Sequence, residues 1–208
     1  MTTNAQKIQA WRNTPPYTRL TEALLKEILD TKTLCGINLD GADLRWADLW
    51  ETEWREASLR GADLRWADLR WADFRRADLN GANLRGADLY GVELTTANLT
   101  DAQLYMADLR KADLCDGITF TGLPSGDGYF LPTPHGWRIT IGCWDHKTLS
   151  DLRALINDEA EWPEAEGRER ERRRPILAGL LAMCEAHEAA HPGVVDELAK
   201  IHGTGGKK

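Results

Sequence analysis

The chain has 208 residues, enough for one or two domains with a real core. Its 33 acidic and 26 basic residues give a net charge of −7, the wrong sign for a general nucleic-acid binder. No apolar run approaches the roughly 20 residues that span a bilayer, and the polar N-terminus lacks the apolar core of a secretory signal, so neither membrane insertion nor export is expected.

The four cysteines, Cys35, Cys115, Cys143 and Cys184, are scattered and form no disulfide framework, so a reducing cytoplasm is the expected setting. Charge is unevenly placed: +2 over residues 1–36, −6 over 37–116 and −3 over 117–208. Nine Trp is high for this length, and most lie in or just after the middle segment.

Residues 1–36 form the expected N-terminal segment. Within it TRLTEALLKEILD, residues 18–30, reads as an amphipathic helix. Leu20, Leu24 and Ile28 make one stripe with Leu25 and Leu29 beside it, and Thr18 or Thr21 offers a loose N-cap. Pro15 and Pro16 close off anything earlier, leaving residues 1–14 mobile or laid along the body of the fold.

Residues 37–116 repeat with a period of five. Apolar centres fall at every fifth residue from Leu39 to Leu114, sixteen in all, without gap or insertion. All are Leu except Trp54 and Phe74. Two residues before each centre sits Ala in thirteen cases, the exceptions being Ile37, Thr52 and Val92. This period fits neither a helix nor a strand. It fits a chain that turns a corner every five residues, with the centre and the small residue pointing into a narrow tube. One coil cannot bury its own inner face, so coils must stack.

The runs GADLRWADL, RGADLRWADLRWADF and NGANLRGADLYG resemble the pentapeptide-repeat proteins, whose pattern is A-(D/N)-L-x-x. The resemblance implies a β-solenoid: a right-handed quadrilateral β-helix with one pentapeptide per side. Sixteen units then make four coils, a rod roughly 20 Å long. The helix near residues 18–30 would cap its N-terminal end, where unpaired backbone invites edge pairing.

Let sides one to four carry the centres Leu39, Leu44, Leu49 and Trp54, so that residues 20 apart stack. Trp54 and Phe74 then stack inside the tube, which must be widest there. Asp48, Asp68, Asp88 and Asp108 form a column expected to accept backbone hydrogen bonds at corners. Outward, side two gives Arg45, Arg65, Arg85 and Tyr105, and side three alternates Trp50, Arg70, Tyr90 and Arg110. Guanidinium planes can lie on aromatic faces at this spacing. Trp46, Trp66, Trp50 and Trp71 fall around the corner and face between sides two and three. A solenoid does not demand exposed Trp, and such a patch marks an interaction site unless the flanking segments cover it. Candidate partner-binding residues are Trp46, Trp50, Trp66, Trp71, Arg45, Arg65, Arg70, Arg85 and Tyr90.

Residues 117–190 read as a small α/β or helical unit. Five Gly and three Pro mark residues 117–136 as turns, WRITIGCW (137–144) alternates like a strand, and TLSDLRALIND (148–158) reads as a helix capped by Thr148. Residues 176–190 are apolar at helical spacing, whereas RERERRR reads as a solvated helix face. This part resembles tails on pentapeptide-repeat proteins of actinobacteria and their phages. Family members often dimerise through C-terminal helices, and Leu177, Leu180, Leu181 and Cys184 would suit that role. Residues 191–208 are expected to be mostly a flexible tail.

HEAAH, residues 187–191, fits the zinc-hydrolase pattern, but Pro192 follows directly and no third ligand is evident. Cys143-x2-His146 and Cys184-x2-His187 could close a structural Cys2His2 site, although Cys-x2-Cys is the usual clip. No nucleotide-binding loop or nucleophile elbow is present. The expectation is a non-enzyme without metal or cofactor: a rigid scaffold whose Trp/Arg face binds a protein partner, with no direct contact to nucleic acid. Two alternatives stand beside it. One is a DNA mimic acting on DNA gyrase or another DNA-binding protein, as some family members do, although nine arginines interrupt the acidic field. The other is a structural or assembly protein, phage-encoded in one version, that self-associates through its C-terminal helices.

Overall fold

The computed structural model describes residues 2–13, 20–31, 33–114, 116–120, 128–141, 144–157 and 167–202. Its spine is a parallel ladder in which the residue before each centre bridges the one 20 positions on: Asp43 with Asp63, Asp48 with Asp68, Glu53 with Asp73, Ser58 with Asp78, and so on to Glu93 with Asp113. Backbone bonds run both ways on each rung, as from Leu44 N to Asp63 O (2.8 Å) and from Asp63 N to Ala42 O (2.9 Å). The four-sided β-helix follows directly from that 20-residue offset. All sixteen centres are buried, most of them completely.

Each corner is a four-residue turn closed by a bond from the residue three after a centre back to that centre's carbonyl, as from Ala47 N to Leu44 O. The residue two after the centre always takes the left-handed conformation that a type II turn requires at that place. From Gly41 to Asp116, φ at these sixteen positions lies between 54° and 67°.

Inside the tube, Trp54 stacks on Phe74 with centroids 5.9 Å apart and planes 3° from parallel. Thr52, one of the departures from Ala, has a matching cause. The Trp54 indole N–H donates to Thr52 Oγ1 (2.6 Å), and that hydroxyl donates to the Leu49 carbonyl (2.6 Å). A buried indole N–H needs an acceptor, and Ala would supply none.

Two helices precede the rod. Residues 4–12, expected to be mobile or laid along the rod, form α1 (Asn4–Arg12), capped reciprocally by Thr3 and Gln6. Ile8 is fully buried in the rod's core cluster, Asn4 donates to the Asn38 carbonyl, and Arg12 donates to the carbonyls of Asp43 and Arg45. The second helix, α2 (Glu22–Leu29), is shorter than residues 18–30; Thr21 is its N-cap, and Leu25 and Leu29 enter the same core. Leu20 and Thr21 add a rung below side three, where Asp48 N donates to Leu20 O (2.7 Å).

Beyond the rod, four strands form an antiparallel meander: β1 (Ile118–Phe120), β2 (Gly128–Thr133), β3 (Gly136–Ile141) and β4 (Trp144–Lys147). The segment read as turns thus contains two strands, and the single strand read over 137–144 ends at Ile141, with the antiparallel β4 beginning at Trp144. β2 is covered on both faces. Tyr129 and Leu131 join the rod's core, while Phe130 joins a second core with Trp137, Ile139, Ile141, Leu152, Leu155, Leu177, Leu180 and Cys184. That second core includes α3 (Leu149–Ile156), capped by Thr148 as expected, and α4 (Arg168–Ala190), which starts eight residues earlier than its apolar pattern. The expected flexible tail contains α5 (Val194–His202), with Leu198 buried and the His202 ring against the Thr96 carbonyl of the rod. Residues 203–208, also part of that expected tail, lie outside the described residues.

Candidate interaction surface

The four tryptophans read from the sequence are solvent-exposed: Trp46 by 60%, Trp50 and Trp71 by 49% each, and Trp66 by 44%. They occupy two corners, not one. Trp46 and Trp66 stand between sides two and three, whereas Trp50 and Trp71 stand between sides three and four. The face carrying Asp48, Asp68, Asp88 and Asp108 lies between them.

Trp46 and Trp66 stack one coil apart, with centroids at 5.5 Å and planes 12° from parallel. Trp71 meets Tyr90 edge-on at 5.3 Å, and Arg110 and Lys111 approach the Tyr90 ring at 5.8 and 5.3 Å. Trp46, Trp66 and Trp71 all sit at the left-handed corner position, with φ of 59°, 59° and 61°. That conformation costs an ordinary L-residue roughly 1–2 kcal/mol. Three side chains that the fold does not need are thus held at the left-handed corner position that every coil repeats.

The arginines behave differently. Arg45, Arg65, Arg70, Arg75 and Arg110 each place Nε and Nη2 on the two carboxylate oxygens of the Asp two residues earlier, at 2.6–2.9 Å. The same Asp also accepts its arginine's backbone N–H, as Asp43 does from Arg45 (3.2 Å). This is the expected corner brace, with a guanidinium fork added. Arg85 follows Asn83, whose side-chain oxygen takes only the backbone N–H. Burial raises the Asp43 and Asp73 carboxyls, but hydrogen bonds and charge from their arginines outweigh it and hold both below the ordinary carboxylate value. Asp108 is held low chiefly by its bond from Arg110.

Charge is also sorted by side. The repeats of sides two and three hold seven acids and six bases, whereas those of sides four and one hold nine acids and four bases. The aromatic corners thus border a nearly balanced surface, and the acidity lies elsewhere on the rod.

The remaining candidates are occupied within the chain. Leu177, Leu180 and Cys184, the expected dimer stripe, are buried in the chain's own second core, and Leu181 packs against it. The stripe covers the sheet and α3, and α4 turns Ile176 and Met183 outward instead. Burial, with Glu185 and Glu188 nearby, pushes the Cys184 thiol up to about 12. His187 directs Nε2 at the Asp116 carbonyl and packs edge-on to Trp137, while His191 bonds back to the His187 carbonyl. HEAAH is thus engaged in tertiary contacts. Cys143 and the His146 side chain lie outside the described residues. Among the described residues, no group of three or more His, Cys, Asp or Glu could hold a metal ion, and no helix is long and apolar enough to cross a membrane.

Residues 37–76 and 77–114 match the family model for pentapeptide repeats, in eight copies. Among solved structures the chain is similar to the pentapeptide repeat protein Rfr23 of the cyanobacterium Cyanothece 51142, at 35% identity, covering 38% of this chain and 52% of that one, TM-score 0.35. It is also similar to a pentapeptide repeat protein of the Arabidopsis thaliana thylakoid lumen, at 32% identity, 43% and 68% coverage and TM-score 0.33. A third likeness is to QnrB1, a plasmid-mediated fluoroquinolone resistance protein, at 25% identity, 37% and 35% coverage and TM-score 0.21. The chain spans about half the length of the cyanobacterial protein. No curated protein matches it.

Proposed function

Given that residues 37–114 belong to the pentapeptide-repeat family, with its right-handed quadrilateral β-helix, we propose that the chain is a rigid, non-catalytic scaffold that binds a protein partner through its tryptophan corners. In this reading residues 37–116 are four coils, residues 1–36 close the N-terminal end through α2, and residues 117–190 form a unit on the other end that α5 extends. The setting is cytoplasmic.

One observation carries the reading. Trp46, Trp66 and Trp71 are large, exposed and held at positive φ, at positions the fold fills elsewhere with residues such as Gly, Glu or Asp. Strained, exposed aromatics persist where something other than folding retains them. The near-balance of charge on sides two and three favours a partner segment of low net charge with flat or apolar side chains. Tyr90 extends the surface, and Arg45, Arg65 and Arg70 frame it from their Asp forks; Arg85 is the member of that set without a carboxylate brace.

The test is the triple variant W46A/W66A/W71A. It should keep the far-ultraviolet circular dichroism of the native chain and no longer retain the proteins that the immobilised native chain captures. Undiminished capture sinks the proposal.

The acidity of sides four and one favours a second reading, a DNA mimic acting on DNA gyrase or another DNA-binding protein through the faces away from the tryptophans. Arg55, Arg60, Arg75 and Arg76 pair with Glu53, Asp73, Asp78, Glu93 and Glu56 there and break the field. A supercoiling assay without effect at high protein excess rejects it. A homodimer built on α4 would use Ile176 and Met183, and light scattering from a monomer at high concentration counts against it.

A further inference from the structure

Glycine occurs at five of the sixteen left-handed corner positions, and it does not mean the same thing at each. Gly41 and Gly61 have nothing within 4 Å of where a Cβ would stand, and Gly81 meets only a backbone nitrogen at 4.0 Å. Gly86 and Gly91 are different. A Cβ on Gly86 would lie 2.4 Å from two carbons of the Trp66 ring, and one on Gly91 would lie 2.4 Å from the Trp71 ring.

Backbone conformation alone does not call for glycine at these two places. In the Gly86 column Trp46, Trp66 and Met106 take the same φ of about 60°, and in the Gly91 column Glu51, Trp71 and Lys111 do so. What Gly86 and Gly91 supply is the missing side chain. Each leaves a flat patch of backbone one coil above a tryptophan, and the six-membered part of the indole lies on it. Trp46 then lies on Trp66, so Gly86 seats a column of two rings. At the neighbouring corner Tyr90, directly before Gly91, meets Trp71 edge-on and blocks its sideways movement.

We propose that Gly86 and Gly91 are positioning residues: they hold Trp66 and Trp71 in one orientation, so that the aromatic surface is preformed. The consequence for binding rests on the function proposed above. A side chain already ordered in the free protein loses less rotamer freedom when a partner covers it. The seat itself needs no partner to be tested, so failure of the seat and failure of the binding function are separate results.

The experiment follows the indole N–H resonances of the full chain by nitrogen-15 NMR in the native protein, G86A, G91A and G61A. The last is the control, since it adds the same methyl at the same φ with open space around it. In G86A the Trp66 and Trp46 indole signals should shift and their heteronuclear NOE should fall towards that of a mobile side chain. G91A should do this to Trp71 alone. The buried Trp54 should keep its signal in all three, which also reports that the tube is intact. Unchanged Trp66 and Trp71 order in G86A and G91A, or an equal loss in G61A, overturns the proposal.

Discussion

Removing the hydroxyl at Thr52 should expose why this one unit departs from the repeat. In Thr52→Ala the Trp54 indole N–H stays fully buried and loses its acceptor, which sits at 2.6 Å in the native chain. An orphaned buried donor costs about 1–3 kcal/mol. At about 2–4 °C per kcal/mol for a chain of this size, that is a clear drop in melting temperature. Trp54→Phe removes the donor instead and leaves a smaller ring in a space shaped for indole, at about 1–2 kcal/mol. The double variant recreates a pair the chain already contains one coil on, where Ala72 precedes Phe74 in the same stack. Losing the hydroxyl should therefore matter much less once Phe replaces Trp54, giving a coupling of about 1–2 kcal/mol between the two positions. Urea unfolding of the native chain, both single variants and the double variant, followed by circular dichroism, measures it. If Thr52→Ala costs as much in the Trp54→Phe background as in the native one, the acceptor argument is wrong and Thr52 is merely filling volume.

Stability should fall in acid. Asp43, Asp73 and Asp108 have folded pKa values below their unfolded ones, so their contribution is present above about pH 4 and is lost as pH drops through the folded values. Melting temperature measured down through pH 4 should decline, and Asp73→Asn should lower it at neutral pH and flatten the decline; a profile level to strong acid contradicts the pairing. At the other end of the chain, Leu198→Ala should release α5 by about 2–3 kcal/mol, because Leu198 is its one buried anchor. Amide exchange should quicken over residues 194–202 while the rod's ladder amides keep their protection.

The repeat was legible because the sequence states the same environment sixteen times. Ala and Leu at fixed offsets identify the inside, and the remaining positions identify the corners. The left-handed corner was less legible, because Trp46, Trp66 and Trp71 stand where only the neighbouring glycines hint at positive φ. The flanks were legible only where a helix carries its own apolar stripe. Helix α2 has one, whereas α1 buries only Ile8 fully, with Ala5 and Trp11 partly buried beside it, and so short an apolar set among polar residues does not announce a helix packed on a core built by others. The stripe of Leu177, Leu180 and Cys184 was visible, but a stripe does not say whether its partner lies in the same chain or in another. Here it is β3 and α3 of the same chain. Likewise β2 hides among glycines and prolines because its two faces serve two different cores, so it shows no alternation.

The sequence presents Trp and Arg as one mixed surface, since both recur after the Leu of each unit. The structure separates them by what each can reach. An arginine directly after a centre folds back on the Asp two residues before it, so wherever the repeat writes Asp-Leu-Arg the guanidinium is claimed within its own coil. A tryptophan one position further on instead projects at the corner, supported by whatever lies one coil above. Under the proposed function, specificity on this surface would therefore reside in the rings and in what seats them, while the arginines set its charge near zero. Arg85 is the exception that checks the rule: Asn83 gives it no carboxylate. Asn83→Asp should draw the Arg85 guanidinium back onto the rod as in the coil below, raising the order of its Nε signal to that of Arg65 without moving the tryptophans; an Arg85 that stays as mobile in that variant as in the native chain would show that the fork depends on more than the residue two before.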